Sequence, residues 1–144
     1  MARSYYSVVL DHPAEKVWAT IRPFDHYAWA GIESETIIED GKAGDQVGAT
    51  RRVDARGKLI RQVLLAHSDT ERSYTYAFAG ACPFPVLDYT ATIKVTPVMA
   101  DSRSFVEWWA TFDCAESERG KWVKHFETQG FAVWLAALDR FLAR

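Results

Sequence analysis

The 28 residues from Glu116 to Ala143, next to the C-terminal Arg144, carry the only long helical pattern in a chain that otherwise reads as strands. At about 100° per residue, Phe126, Gly130, Val133, Trp134, Ala137, Leu138 and Phe141 fall on one broad arc, with Lys121, His125, Ala136 and Asp139 opposite. That arc is wider than the apolar stripe of an ordinary surface helix. It holds two oddities, Gly130 in mid-helix and Glu127 between apolar neighbours. A lone, wide-faced helix after a run of strands has to be gripped by a sheet, and space left in such a grip can hold a ligand.

The elements before it read in order. Tyr5 to Leu10 is a strand rich in β-branched and aromatic residues. Asp11-His12-Pro13 then opens a short helix whose apolar face is Val17, Trp18 and Ile21, and Pro23 ends it. Asp25 to Trp29 makes a second, very short helix. Glu33 to Glu39, Val47 to Val53, Leu59 to Ser68, Ser73 to Ala79, Asp88 to Thr96 and Ser104 to Asp113 are strands. The turn signals Asp40-Gly41, Gly44-Asp45, Arg56-Gly57 and Asp69 to Arg72 separate several of them. Consecutive strands with short turns give an antiparallel meander. The 144 residues fit one domain, and no linker, repeat or low-complexity run divides them.

The totals exclude several functions. A net charge of −2 supplies no basic footprint for nucleic acid. Cys82 and Cys114 make no disulfide framework. The histidines His12, His26, His67 and His125 lack metal-ligand spacing, and nothing calls for a cofactor. With neither a signal peptide nor a membrane-spanning run, a cytoplasmic protein is expected. Six Trp, six Tyr and eight Phe are a surplus of rigid side chains, suited to ordinary packing or to walling an apolar pocket.

Several segments carry a family resemblance. Ser7-Val8-Val9-Leu10-Asp11-His12-Pro13-Ala14-Glu15-Lys16-Val17-Trp18 resembles the strand-to-helix entry of the START-like, helix-grip superfamily. Phe24-Asp25-His26-Tyr27-Ala28-Trp29 is similar to the aromatic pattern at its second short helix. Gly44-Asp45-Gln46-Val47-Gly48, Val106-Glu107-Trp108 and the long last helix also fit, and the polyketide cyclase/dehydratase-like branch is the nearest in pattern. The resemblance spans essentially the whole chain. It implies an α+β fold, a curved seven-stranded antiparallel sheet wrapped around the C-terminal helix, with two short helices between strands 1 and 2 and a cavity between sheet and helix. Members range from lipid and hormone carriers to aromatic cyclases, so the fold alone selects no function.

Within that frame, alternation points Tyr89, Ala91, Ile93 and Val95 inward, and likewise Val106, Trp108, Ala110 and Phe112. In Leu59 to Ser68 both faces carry apolar residues, and the parity stays open. Plant lachrymatory-factor synthases of this branch use a pocket arginine and glutamate with a nearby tyrosine. Matching strands puts the arginine at Arg51 and the tyrosine at Tyr89. The glutamate position falls on Gln62, which cannot transfer a proton. Arg51 reads equally as an outward residue paired with Asp54 or Glu39. Glu127 lies by helical phase on the gripped face, where desolvation would suit it to general acid work; the alternative is a carboxylate reaching water.

Arg51 and Glu127 are thus the candidate catalytic pair. Trp29, Gln62, Tyr76, Phe84, Tyr89, Trp108, Phe126 and Gly130 are the candidate ligand contacts. Trp29 reads equally as a cap on the cavity mouth or as simple packing of the short helix, and Phe84, between two prolines, as a rigid flap or as part of a plain surface connection. The leading function is binding of a small apolar or aromatic molecule between sheet and helix. A cofactor-independent cyclase, dehydratase or isomerase in the same cavity is the second reading. A protein-interaction module, with Trp109, Val63 and Leu65 as an outer apolar patch and a homodimer as its simplest form, is the third.

Overall fold

Seven strands in the order β1-β7-β6-β5-β4-β3-β2 form one antiparallel sheet. The computed structural model describes all residues, 1–144. The strands are β1 (Ala2–Leu10), β2 (Ile37–Ile38), β3 (Thr50–Ala55), β4 (Lys58–Ser68), β5 (Ser73–Phe78), β6 (Leu87–Val98) and β7 (Arg103–Asp113). Helix α1 (Ala14–Ile21) and a 3-10 turn at Ala28–Ala30 lie between β1 and β2. The chain closes with α2 (Arg119–His125), a π-helical turn at Phe126–Phe131 and α3 (Ala132–Leu142), whose junction residues stay right-handed helical, so the three run on as one helix. This is the helix-grip architecture. No helix is long and apolar enough to cross a membrane.

Local chemistry sets most element ends. Ala55 pairs with Lys58, and the two residues between them, Arg56 and Gly57, both have positive φ (54° and 82°). That is the type I′ signature whose twist matches the flanking strands. Asp40 and Gly41 also have positive φ, 64° and 63°, but they lie inside a long loop, because β2 shrinks to Ile37–Ile38. Of the strand expected from Glu33 to Glu39 only Ile37–Ile38 pairs with β3, Ile38 packing on the core, while Glu33 and Glu35 before it are exposed. β3 likewise starts at Thr50 and not at Val47, since Ala49 N–H donates to the Gln46 carbonyl (3.0 Å) in a turn with Gly48 at φ 93°.

The inner sheet face is as alternation predicts in β6 and β7, with Tyr89, Ala91, Ile93, Val95 and Val106, Trp108, Ala110, Phe112 all buried. The open parity of β4 resolves with Gln62 and Leu64 inside. A bulge between Leu64 and Ala66 then shifts the register, which leaves Leu65 exposed and brings His67 in against Trp18, with ring centroids 5.5 Å apart. Both faces of β4 look apolar in sequence because Leu59, Val63 and Leu65 stand on its outer face, with Leu59 and Leu65 exposed.

One surface ion-pair hub ties α1 to the β4–β5 turn. Asp69 accepts from the Trp18 indole (3.0 Å) and from Arg22 Nε (2.6 Å), and it contacts His67 Nε2 (3.1 Å), while Arg22 also reaches Asp45 (2.9 Å). Arg22 above all holds the Asp69 carboxyl well below its usual range. A carboxyl lowered on folding stabilises the fold above its unfolded pKa of about 3.9, and that contribution is lost as pH falls through the folded value. Asp69→Asn is therefore expected to lower the melting temperature modestly at neutral pH, with the gap to the parent closing progressively below about pH 4 in calorimetric scans.

Candidate functional site

A cleft of about 810 Å³ opens between the C-terminal helix, the chain after the 3-10 turn and the β3–β4 hairpin. Its apolar floor is Gly31, Ile32, Val133, Trp134 and Ala137, and Asp54, Arg56 and Arg140 stand at its rim. A smaller hollow of about 240 Å³ lies elsewhere, beside Met1, Asp113 and Arg119, where Arg119 donates to the Met1 carbonyl (2.6 Å).

Trp134 separates the larger cleft from the buried interior. Its ring packs on Trp108 at 5.2 Å and on Phe131 at 6.0 Å. It fits because residue 130 is glycine: a Cβ there would stand 3.2 Å from Trp134 Cη2 and 3.3 Å from Cζ3. Behind it, Trp108 is stacked on Phe131 (5.3 Å, 18°), lies 5.8 Å from Trp29, and donates its indole N–H to the Tyr76 hydroxyl at 3.2 Å. Trp29 is fully buried, with its indole bonded to the His26 carbonyl (3.0 Å). Of its two readings it takes packing, as inner wall, over a cap; its neighbours Ala30 and Gly31 line the mouth.

Deeper still sits Arg51. The side chain is fully buried and points inward from β3, not out to Asp54 or Glu39; Glu39 is engaged by Arg61 (2.8 and 2.9 Å). Arg51 Nε donates to Gln62 Oε1 at 2.8 Å across the β3–β4 pairing. The guanidinium carbon lies 3.7 Å from the Tyr27 ring centroid, 4.1 Å from that of Phe24 and 5.3 Å from that of Tyr76, geometries in reach of cation–π attraction. Both terminal nitrogens, Nη1 and Nη2, are buried without a hydrogen-bond partner, and so is the Tyr74 hydroxyl. Burial pushes the Tyr27 phenol up to about 12 and those of Tyr76 and Tyr89 well above their usual value, so all three stay protonated at neutral pH.

Arg51, Gln62, Tyr76, Trp108 and Trp29 are thus one continuous cluster. Tyr89, Phe84 and Phe126 form a second, which touches the first where the Tyr89 phenol meets that of Tyr76. Phe84 lies edge-on to Phe126 (5.1 Å) and against Trp122 (6.0 Å) and His125 (5.8 Å), while Tyr89 packs on Phe126 (5.1 Å) and Phe78 (5.0 Å). Phe84 plugs the space between helix and sheet at the end of the helix away from the cleft.

Glu127 belongs to neither cluster, which corrects its pairing with Arg51. It is half-buried, and its Oε2 accepts the Tyr5 backbone N–H at 3.0 Å, on the edge strand β1. Together with the bond from Ser4 Oγ to the Val123 carbonyl (2.9 Å), it fastens the helix to that edge. The outer apolar patch is also interrupted. Val63 and Trp109 stand on β4 and β7, separated by β5 and β6 with the bonded pair Thr75–Thr92 (2.8 Å), and Arg3 lies over Trp109.

Sequence reasoning passed over Phe24, Tyr27, Tyr74, Phe131 and Trp134 as site residues. The aromatic run around the second short helix was the available signal for the first two. No signal distinguished Tyr74 from any inward tyrosine of its strand.

The family model for polyketide cyclase/dehydrase and lipid transport proteins matches residues 1–144. The chain belongs to that family. No curated protein matches it in sequence. Among solved structures, a Thermobifida fusca protein is 28% identical with a TM-score of 0.85, covering 100% of this chain and 95% of its own. The di-domain aromatase/cyclase BexL of the BE-7585A biosynthetic pathway is 16% identical with a TM-score of 0.79, over 97% of this chain and 46% of its own. Norcoclaurine synthase from Thalictrum flavum, solved with dopamine and hydroxybenzaldehyde, is 14% identical with a TM-score of 0.72, over 98% and 86%. At these last two identities the likeness is one of fold.

Glu127→Ala should cost about 1 kcal/mol of stability, the worth of one partly exposed hydrogen bond, in urea unfolding. Binding of an aromatic probe to the folded variant is expected to match the parent, because the carboxylate lies outside the cluster around Arg51.

Proposed function

We propose that this family member binds a small apolar or aromatic molecule between the sheet and the C-terminal helix, entering through the cleft in front of Trp134. The observation that carries this reading is the cleft itself. Its volume of about 810 Å³ falls within the roughly 300–1,000 Å³ of ligand pockets, and its inner end abuts Trp134 and, beyond it, the tilted rings of Trp108 and Trp29. Norcoclaurine synthase, which shares the fold, was solved with two small aromatic compounds, and the family description includes both cyclisation and lipid transport.

A second reading is catalysis without a cofactor, a cyclisation or dehydration in the same space. Arg51 favours it, since two buried donors fixed among aromatic rings are the kind of preorganised group that stabilises a developing oxyanion. Proton removal is the weak point of this reading. Gln62 cannot transfer a proton, Glu127 is held at the β1 edge, and the buried tyrosines stay protonated, so they can donate but not act as bases.

N-phenyl-1-naphthylamine, a neutral apolar fluorophore, tests the binding reading. The parent protein is expected to bind it saturably, with quenching of tryptophan emission. Trp134→Ala, which removes the ring between cleft and interior, should speed its association in stopped-flow traces. Absence of saturable binding by the folded parent would sink the proposal.

A further inference from the structure

The charge on Arg51 has no counterpart inside the protein. Its side chain is fully buried, and its one hydrogen bond goes to the neutral Gln62. No carboxylate is bonded to Arg51, and three on the neighbouring elements are engaged by other arginines: Glu39 by Arg61, and Asp69 and Asp45 by Arg22. Everything stacked on the guanidinium is uncharged. A whole positive charge in such surroundings is among the least favourable arrangements in a protein interior unless something neutralises it.

The free part of the guanidinium also has a definite shape. Gln62 takes Nε, which leaves Nη1 and Nη2 as a parallel pair of donors at the tip. Tyr27 and Phe24 lie within 4.1 Å of the guanidinium carbon and restrict its plane. A planar, fixed fork of two donors matches the two oxygens of a carboxylate. The Tyr74 hydroxyl, also buried and unpartnered, has its ring 5.9 Å from the same carbon and supplies a third donor. One positive charge and three donors suit a monoanion; a phosphate dianion would remain under-neutralised.

We infer that Arg51 and Tyr74 anchor the carboxylate of an apolar or aromatic acid, whose body extends along Trp29 and Trp108 towards Trp134 and the cleft. This rests on the binding reading above and narrows it to a ligand class.

A matched pair of probes separates the two statements: 2-naphthoate and its neutral isostere 2-naphthamide, titrated calorimetrically. The parent should bind the acid about ten- to a hundredfold more tightly than the amide, the usual worth of a hydrogen bond to a charged group. Arg51→Met should bind both equally, and Arg51→Lys should keep part of the preference, because it retains charge without the fork. In protein carrying ¹⁵N-arginine, the Arg51 Nη resonances should move with the acid and not with the amide. Should Arg51→Met fail to fold, the parent's acid–amide ratio and those resonances decide alone. Equal binding of acid and amide by the parent, an acid preference that survives Arg51→Met, or Nη signals indifferent to the acid would overturn the inference while leaving ligand binding intact. If neither naphthalene probe nor N-phenyl-1-naphthylamine binds, the binding reading and the inference fall together.

Discussion

Trp108 is where the sheet, the helix and the 3-10 turn meet. Its ring stacks on Phe131 of the helix, contacts Trp134 one turn on, touches Trp29 from the 3-10 turn, and donates to Tyr76 from two strands away. An aromatic in this position contributes buried area and a hydrogen bond that fixes its orientation. The grip therefore has a defined register. Sliding the helix along the sheet would break the stacking of Trp108 on Phe131 and its contact with Trp134 together.

That register depends on the π turn. Between Phe126 and Phe131 the helix takes a wider turn, and Ala132 N–H donates to the carbonyl of Glu127, five residues back. One extra residue rotates everything after it by about 100° relative to an unbroken α-helix. The buried stripe becomes Phe126, Phe131, Leu135, Leu138 and Leu142, with Trp134 and Phe141 on its flank and Val133 exposed. Such insertions recur at functional sites. Here the insertion places the Trp134 indole between the cleft and the core.

The same turn explains which parts of the site were legible in the sequence. The strand count, the antiparallel order and the inward residues of β6 and β7 follow from alternation and turn chemistry, which act over a few residues and leave local marks. Helical phase at 100° per residue also leaves marks, but it assumes an unbroken helix, and so it put Val133 on the buried arc and missed Phe131. Glu127 was misplaced for a related reason: phase assigns a direction from the axis, whereas its partner is the backbone of β1, more than a hundred residues earlier in the chain. The apolar residues on the outer face of β4, Leu59, Val63 and Leu65, hid the facing of Gln62, and with it that of Arg51 opposite. Composition foretold an aromatic interior. Which aromatics stack on the guanidinium is decided by tertiary contacts between α1, the 3-10 turn and three strands, which no local pattern encodes.

Polarity across the site is graded, and the gradient has a mechanical consequence. Charged residues of both signs rim the cleft, apolar and small residues floor it, indoles follow, and the guanidinium lies at the deep end. A ligand entering by this route meets Trp134 before Arg51, so it loses its water before its charge is compensated. An acidic head can cross the indoles only if the door at Trp134 and the fork at Arg51 are open to it together, or if it crosses as the neutral acid and gives up its proton on arrival. The second path involves no desolvated free charge in transit, and it makes entry faster at lower pH even where final binding weakens. Gly130 matters on either path: a Cβ there would stand 3.2 Å from the Trp134 ring and press it aside by a few tenths of an ångström, so the glycine sets where the indole rests.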